Sequence, residues 1–458
     1  MRNIWKTLLL LCLVQTASAQ GHPSLYVDGR TLKTKDGQAV ILRGVNAGLA
    51  EDGNIDIADA ARCSTYIDQV ALTGANAIRF TWYTDGVSWR DGGQYVGNDP
   101  NPEARYHKGN GTVMKNYLEN GHLGRIFAYC HSKNIIPVLS IHDLTCADDW
   151  NYFNQDFKAW WTRPSVVAFI QQHREYLIVN LANEMGHVQY AGGGQAARDV
   201  FKNNYNALVA EMRGLGVTVP IMVDAPDCGQ SSSDLLQLSE DMQAADPAHN
   251  LLFSAHGYWS AYASTPAQIQ VKLDEAVQKN VCFLMGEIAN RQAGPPDYCG
   301  EIDISAIYPE ILRQACTRQI GWLAWVWDQD CEPARMISTN GQFNSLTTYG
   351  NDIVNNAGYG LKSTGGCGAS APLLSVKEPG AAGTVITVYP NPASDFIRVV
   401  GTDAAGTASY SLADISGRTV FSGKYSGTDI RIPVSGMAPG SYILLKDGMP
   451  VARVTVNR

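Results

Sequence analysis

The residues best placed to do chemistry in this chain are two glutamates that close apolar runs. One run, LIVNLANEMG, carries Asn183-Glu184, and the other, VCFLMGEIAN, carries Glu287. A short apolar run bounded by turn signals suits a strand of a parallel sheet buried on both faces. A carboxylate at the mouth of such a strand stands where ligands bind. Two of them across one mouth can cut a glycosidic bond. One carboxylic acid protonates the leaving oxygen, one carboxylate attacks the anomeric carbon, and the two groups must stand roughly 5–5.5 Å apart. The pair must differ: the acid needs a raised pKa, and the nucleophile must be held ionised by its neighbours.

Other side chains at strand ends suit supporting roles. Arg79 and Tyr258 are candidates to hold Glu287 ionised, and His142 and His256 to position a sugar hydroxyl or orient a glutamate. Asn183 is placed to hydrogen-bond a sugar 2-hydroxyl, a contact that strengthens in the transition state. Trp325 and Trp327 alternate on the last apolar run, so both are expected to face one side, with Trp325 as the floor under the sugar being cleaved.

The elements that must carry these residues are legible as eight apolar runs. They begin near Val40, Asn76, Ile135, Leu177, Val219, Leu251, Val281 and Gly321. Amphipathic stretches lie between them, for example around Ala58 to Leu72 and from Phe201. Eight alternating β and α units predict a closed (β/α)8 TIM barrel, an α/β fold, in which Glu184 follows strand four and Glu287 ends strand seven. Ahead of the barrel, turns at Asp28-Gly29 and Asp36-Gly37 predict a hairpin and a second reversal.

Composition narrows the partners. A net charge of -8 without a basic stripe excludes nucleic acid as an expected ligand. The 10 Trp and 21 Tyr supply flat faces that can stack on sugar rings. At the start, Arg2 and Lys6, the apolar stretch Leu8 to Val14, and Ala17-Ser18-Ala19 predict a signal peptide over 1–19. That stretch is too short to span a bilayer, and no transmembrane segment is expected. The 10 Cys include Cys12 in the signal peptide, so an odd number remains. Cys130 and Cys282 read as buried thiols, while Cys146 and Cys228 could bridge two loops at one barrel face. The absence of a CxxC pair argues against zinc, and neither a metal nor a cofactor is expected. A monomer is expected.

The expected catalytic domain covers 20–368. A Gly-, Ala-, Ser- and Pro-rich linker follows over 369–383, and residues 384–458 read as short alternating strands of a small all-β sandwich. This tail resembles the C-terminal sorting domain of type IX secretion substrates. The resemblance rests on Tyr389-Pro390-Asn391-Pro392, the Asp414-Ile415-Ser416-Gly417-Arg418 turn, the PGSYIL hairpin at Pro439 and the basic last strand. It implies passage across the outer membrane by secretion machinery, to the medium or the cell surface.

The order NAIRF, LSIHD, LIVNLANE, LLFSAHGY, LMGE and GWLAWVW resembles glycoside hydrolase family 5, a family of retaining barrel endoglycanases. The resemblance implies Glu184 as acid/base and Glu287 as nucleophile. It also implies site roles for Arg79, His142, His256, Tyr258 and Trp325. RGVN at Arg43, IHD at Ile141, VDAPDCGQ at Val223, SAHGY at Ser254 and GWLAW at Gly321 are most similar to the bacterial β-mannanase subfamily. The chain departs from that subfamily at Ala47, Leu49 and Glu51, where histidines and a tryptophan are usual, and at Cys228, where a tryptophan is usual. A β-linked polysaccharide is therefore the expected substrate, with mannan or glucomannan first and β-glucan second. A surface carbohydrate-binding protein with an inactive barrel and a transglycosylase remain as alternatives.

Overall fold

The structure is a computed structural model that describes residues 22–49, 57–83, 118–295, 298–363, 387–389, 393–400, 407–414, 418–446 and 449–457. The expected signal peptide, the linker and most of the Tyr389-Pro390-Asn391-Pro392 motif lie outside these residues. The chain divides into two compact units, 1–373 and 374–458.

Eight parallel strands close the first unit into a barrel. They are β1 (Arg43–Ala47), β2 (Ala77–Trp82), β3 (Ile136–Ile141), β4 (Ile178–Asn180), β5 (Ile221–Asp224), β6 (Leu251–His256), β7 (Cys282–Ile288) and β8 (Gly321–Ala324). Every residue in these strands is buried. That burial is why they read as unbroken apolar runs: inward side chains fill the barrel and outward ones meet helices. The helices start where local chemistry tells them to. Asp59 caps Ala60–Ala71 by accepting from Ala61 and Arg62 N–H, and Thr265 with Gln268 forms a capping box on Pro266–Gln278.

The expected hairpin is present, pairing Tyr26–Asp28 with Thr31–Lys33, and Ala39–Val40 joins as a third strand. One boundary differs from expectation. Ala39–Val40 belongs to this small sheet, and the barrel begins only at Arg43. Leu25, Val27, Leu32 and Val40 pack with Ala77, Ile136, Ile178, Met222 and Leu284, so the small sheet plugs the barrel floor. Burying a side chain such as Leu32, 1% exposed, contributes about 1.5–3 kcal/mol. Asn250, just before β6, fixes the plug by accepting from Val27 N–H at 2.9 Å and donating to Leu25 O at 3.2 Å. With the floor closed, the open mouth lies at the carboxyl ends of the strands.

The second unit holds two antiparallel sheets. One comprises Thr387–Tyr389, Phe396–Val400 and Asp429–Pro433, and the other Thr407–Ala413, Thr419–Ser426, Gly440–Lys446 and Met449–Val456. Ile397, Val399, Leu412, Ile432, Leu444 and Val454 form a core of their own. Thr407–Ala413 and Thr419–Ser426 pair antiparallel on either side of the turn expected at 414–418, and the Asp414 and Arg418 side chains pair at 3.1 Å. Among the described residues, no helix is long and apolar enough to cross a membrane.

Candidate active site

At the mouth of the barrel the strand ends deliver one polar cluster. Glu287 lies within β7 and Arg79 within β2, while His256 ends β6, with Tyr258 two residues further on. The pairing of β7 with β6 shifts register between Met285 and Glu287, a bulge that re-aims the carboxylate. Gly286 makes the bulge possible, since a Cβ there would lie 2.2 Å from Ser254 Oγ. Glu184 stands beyond the end of β4, on a backbone at φ 54°, not on the strand itself. That left-handed conformation is uncommon for a non-glycine residue and is a frequent mark of a functional site.

Arg79 organises the cluster. Its Nη1 donates to Glu287 Oε1 at 2.6 Å and to Asn46 Oδ1 at 2.9 Å. Its Nη2 donates to Asn183 Oδ1 at 2.6 Å, to Asn180 Oδ1 at 2.8 Å and to Asp224 Oδ2 at 3.2 Å. Tyr258 O–H donates to Glu287 Oε2 at 2.8 Å. Both oxygens of Glu287 therefore accept strong donors.

Glu184 is surrounded differently. His256 Nδ1 donates to its Oε1 at 2.6 Å, and Cys146 Sγ lies 3.1 Å from its Oε2. Burial raises the Glu184 carboxyl above its ordinary range; His256 opposes this, and the charges of Glu287 and Asp224 add to it. For His256, burial alone would disfavour the charged ring. Glu287 and Asp224 outweigh burial and raise its pKa to about 10. Asp224 is held below its ordinary value because His256 and Arg79 overcome the cost of burial. Gly229 leaves room for the His256 ring, as a Cβ there would come within 2.7 Å of it.

One carboxylate oxygen of Glu184, one of Glu287 and a ring nitrogen of His256 all lie within 4.8 Å of one another. These three could offer ligands to a cation, and the Arg79 guanidinium already stands 2.6 Å from Glu287 Oε1. The two glutamates thus share one site, one of them with a raised carboxyl and the other with both oxygens held by donors.

The remaining expected residues are placed as follows. Asn183 donates its Nδ2 to Thr145 Oγ1 at 3.0 Å while Arg79 holds its oxygen. The His142 ring stacks on Trp325 with centroids 6.2 Å apart. The Trp325 indole, partly exposed, donates to Asp330 Oδ2 at 2.6 Å, and Asp330 also binds the Arg335 guanidinium at 2.7 Å. Trp327 is a correction. β8 ends at Ala324, so the alternation expected of residues 325 and 327 does not hold. Trp327 is fully buried in the core and offers no face to a ligand.

Asn46, Asn180 and Asp224, which bind Arg79, and Asp330, which binds Trp325, are neighbours of the candidate site that sequence reasoning missed. Asp224 carried a usable signal, because it too is a carboxylate closing an apolar run. Asn46 lies in the RGVN motif, with no role readable from it. Cys146 and Cys228 form a disulfide across the loops after β3 and β5, as the loop-bridging expectation held, and Cys299 pairs with Cys331. Cys130 and Cys282 are buried thiols as expected, and burial pushes Cys282 up to about 12.

Comparison with known proteins matches the chain to a family. The sequence profile described as cellulase (glycosyl hydrolase family 5) matches residues 34–330. The chain belongs to glycosyl hydrolase family 5. It is a glycoside hydrolase, and the family 5 motifs read from the sequence fall on the strands and loops described above. A mannan endo-1,4-beta-mannosidase of Salipaludibacillus agaradhaerens is 26% identical over 342 residues, covering 74% of this chain and 93% of that protein. Another, from Cellvibrio japonicus, is 25% identical over 387 residues, covering 82% of this chain and 76% of that protein. Among solved structures, the catalytic domain of a mannanase from Streptomyces sp. SirexAA-E gives a TM-score of 0.55 at 20% identity. It covers 81% of this chain and 99% of that one, and shares the barrel fold. A second profile, the secretion system C-terminal sorting domain, matches residues 387–448. The tail of this family 5 hydrolase is a sorting domain of that kind.

Proposed function

We propose that this hydrolase is an exported, retaining endo-β-1,4-mannanase with Glu184 as acid/base and Glu287 as nucleophile. The observation that carries the reading is the approach of the two carboxylates within 4.8 Å in one buried cluster, which suits a double displacement better than the wider gap an inverting enzyme keeps for water. Glu287 attacks the anomeric carbon while Glu184 gives its proton to the departing oxygen. The glycosyl-enzyme neutralises Glu287, and this removes one of the charges that raise the Glu184 carboxyl. Glu184 then more readily acts as the base that takes a proton from the incoming water. Arg79, Tyr258 and His256 orient the pair; Asn183, His142 and Trp325 bind the sugar.

Mannan is preferred as the substrate because the relatives named above are mannanases across most of their own lengths. The sorting domain supports export by a type IX secretion route to the medium or cell surface, following removal of the signal peptide 1–19. Two experiments test the proposal. Reducing ends released from mannan, glucomannan, carboxymethylcellulose and lichenan should be highest for the mannans; a preference for the glucans would overturn the substrate. Glu287→Ala should abolish hydrolysis, and azide should restore turnover with an α-glycosyl azide as product. A variant that hydrolyses normally, or azide that yields no such product, would overturn the nucleophile.

A further inference from the structure

The disulfide between Cys146 and Cys228 does more than join two loops. It links the loop after β3 to the loop after β5, on either side of the segment that carries Glu184. The backbone around it is knit to that segment. Gly186 N–H donates to Ala147 O at 2.8 Å, and Asp227 N–H donates to Gly186 O at 2.9 Å. Both cysteines are half-buried, so the bond forms part of the wall beside the carboxyl and not only a staple beneath it. The Sγ of Cys146 lies 3.1 Å from Glu184 Oε2.

The two oxygens of Glu184 therefore meet opposite chemistry. Oε1 accepts from His256 Nδ1 at 2.6 Å. Oε2 faces a disulfide sulfur, which has no proton to donate and can only accept weakly. Among the described residues, no side chain or backbone group donates to Oε2. A negative charge on that oxygen would face sulfur lone pairs without compensation, whereas a proton there would meet a weak acceptor. We propose that the Cys146–Cys228 disulfide is a positioning element of the reaction: its sulfur closes one face of Glu184 Oε2 to donors and so places the transferable proton on Oε2. The raised carboxyl of Glu184 agrees with such a dry, donor-free flank. The inference rests on the reading of Glu184 as the acid, and it adds which oxygen carries the proton and what keeps it there.

The test compares the wild type with C146S/C228S, which puts hydroxyl donors where the sulfurs were, and with C146A/C228A, which admits water. In both, the charged form of Glu184 gains hydrogen bonds. The basic limb of the kcat/KM profile should then fall by about one pH unit. The loss of rate should grow as the leaving group of an aryl β-glycoside becomes poorer, because poor leaving groups need the proton most. A folded variant with an unmoved basic limb and a uniform loss across leaving groups would overturn the proposal, since that is what a purely structural staple predicts. Glu184→Gln separates the two readings. If it still hydrolyses unactivated polysaccharide, the acid assignment itself fails; if it does not, while the cysteine variants keep the wild-type limb, only the disulfide's role fails. Should neither cysteine variant fold, neutron diffraction from wild-type crystals below the basic limb decides, with a deuteron on Oε2 expected and a deuteron on Oε1 overturning the inference.

Discussion

Arg79 and Glu287 form an ion pair at 2.6 Å in which neither side chain is appreciably exposed. The same guanidinium also reaches Asp224 at 3.2 Å, a buried carboxylate that it stabilises together with His256. Removing one partner of a buried pair leaves the other charge without compensation and costs about 3–5 kcal/mol. Arg79→Ala is therefore expected to lose folding stability by that amount, read as a lower urea midpoint. Arg79→Lys keeps the charge but not the planar fork that serves Asn46, Asn180 and Asn183 together. It should fold, with kcat/KM down by about tenfold to a hundredfold.

His256 makes stability depend on pH in a definite direction. Its folded-state pKa is raised from 6.5 to about 10, so its contribution is complete below about 6.5 and is lost as pH rises toward about 10. Glu184, raised by burial, acts in the same direction because the folded state holds its proton more tightly than the unfolded chain does. Asp224 is lowered and acts oppositely, contributing above its ordinary range and losing that contribution in acid. Urea midpoints should fall across the alkaline window in the wild type. In His256→Gln the fall should be shallower; an equally steep fall would remove His256 from this account.

The two units have separate cores. Deleting residues 374–458 should leave kcat/KM on soluble substrate within about twofold of the full chain and leave the barrel's melting temperature unchanged, while export fails. Catalysis lost together with the tail, measured on purified truncated protein, would mean that the sandwich supports the site.

How much of this was legible follows from burial. The barrel strands have both faces covered, so each shows as a continuous apolar run whose end marks the mouth. Glu184, Glu287, Arg79, His256 and Tyr258 were readable for that reason. Asp224 meets the same criterion, but one more carboxylate among the 43 acidic residues carries no sign of an arginine 145 positions away in sequence. Trp327 departs from period-two alternation because the strand stops at Ala324. Loops have no periodicity, so the hold of Asp330 on Trp325 left no pattern to find. The Cys146–Cys228 pair spans 82 residues, and its contact with Glu184 depends on three loops meeting at once.

The two glutamates are mounted differently. Glu287 is set within the hydrogen-bonded wall of the barrel, while Glu184 rides four positions past Asn180 on a left-handed turn. On the proposed assignment, the group that attacks the anomeric carbon is fixed by the architecture, and the group that serves the departing sugar belongs to a connecting segment. Descendants of this enzyme could adapt to a different leaving unit by reshaping that segment alone, leaving the attacking side and its arginine untouched.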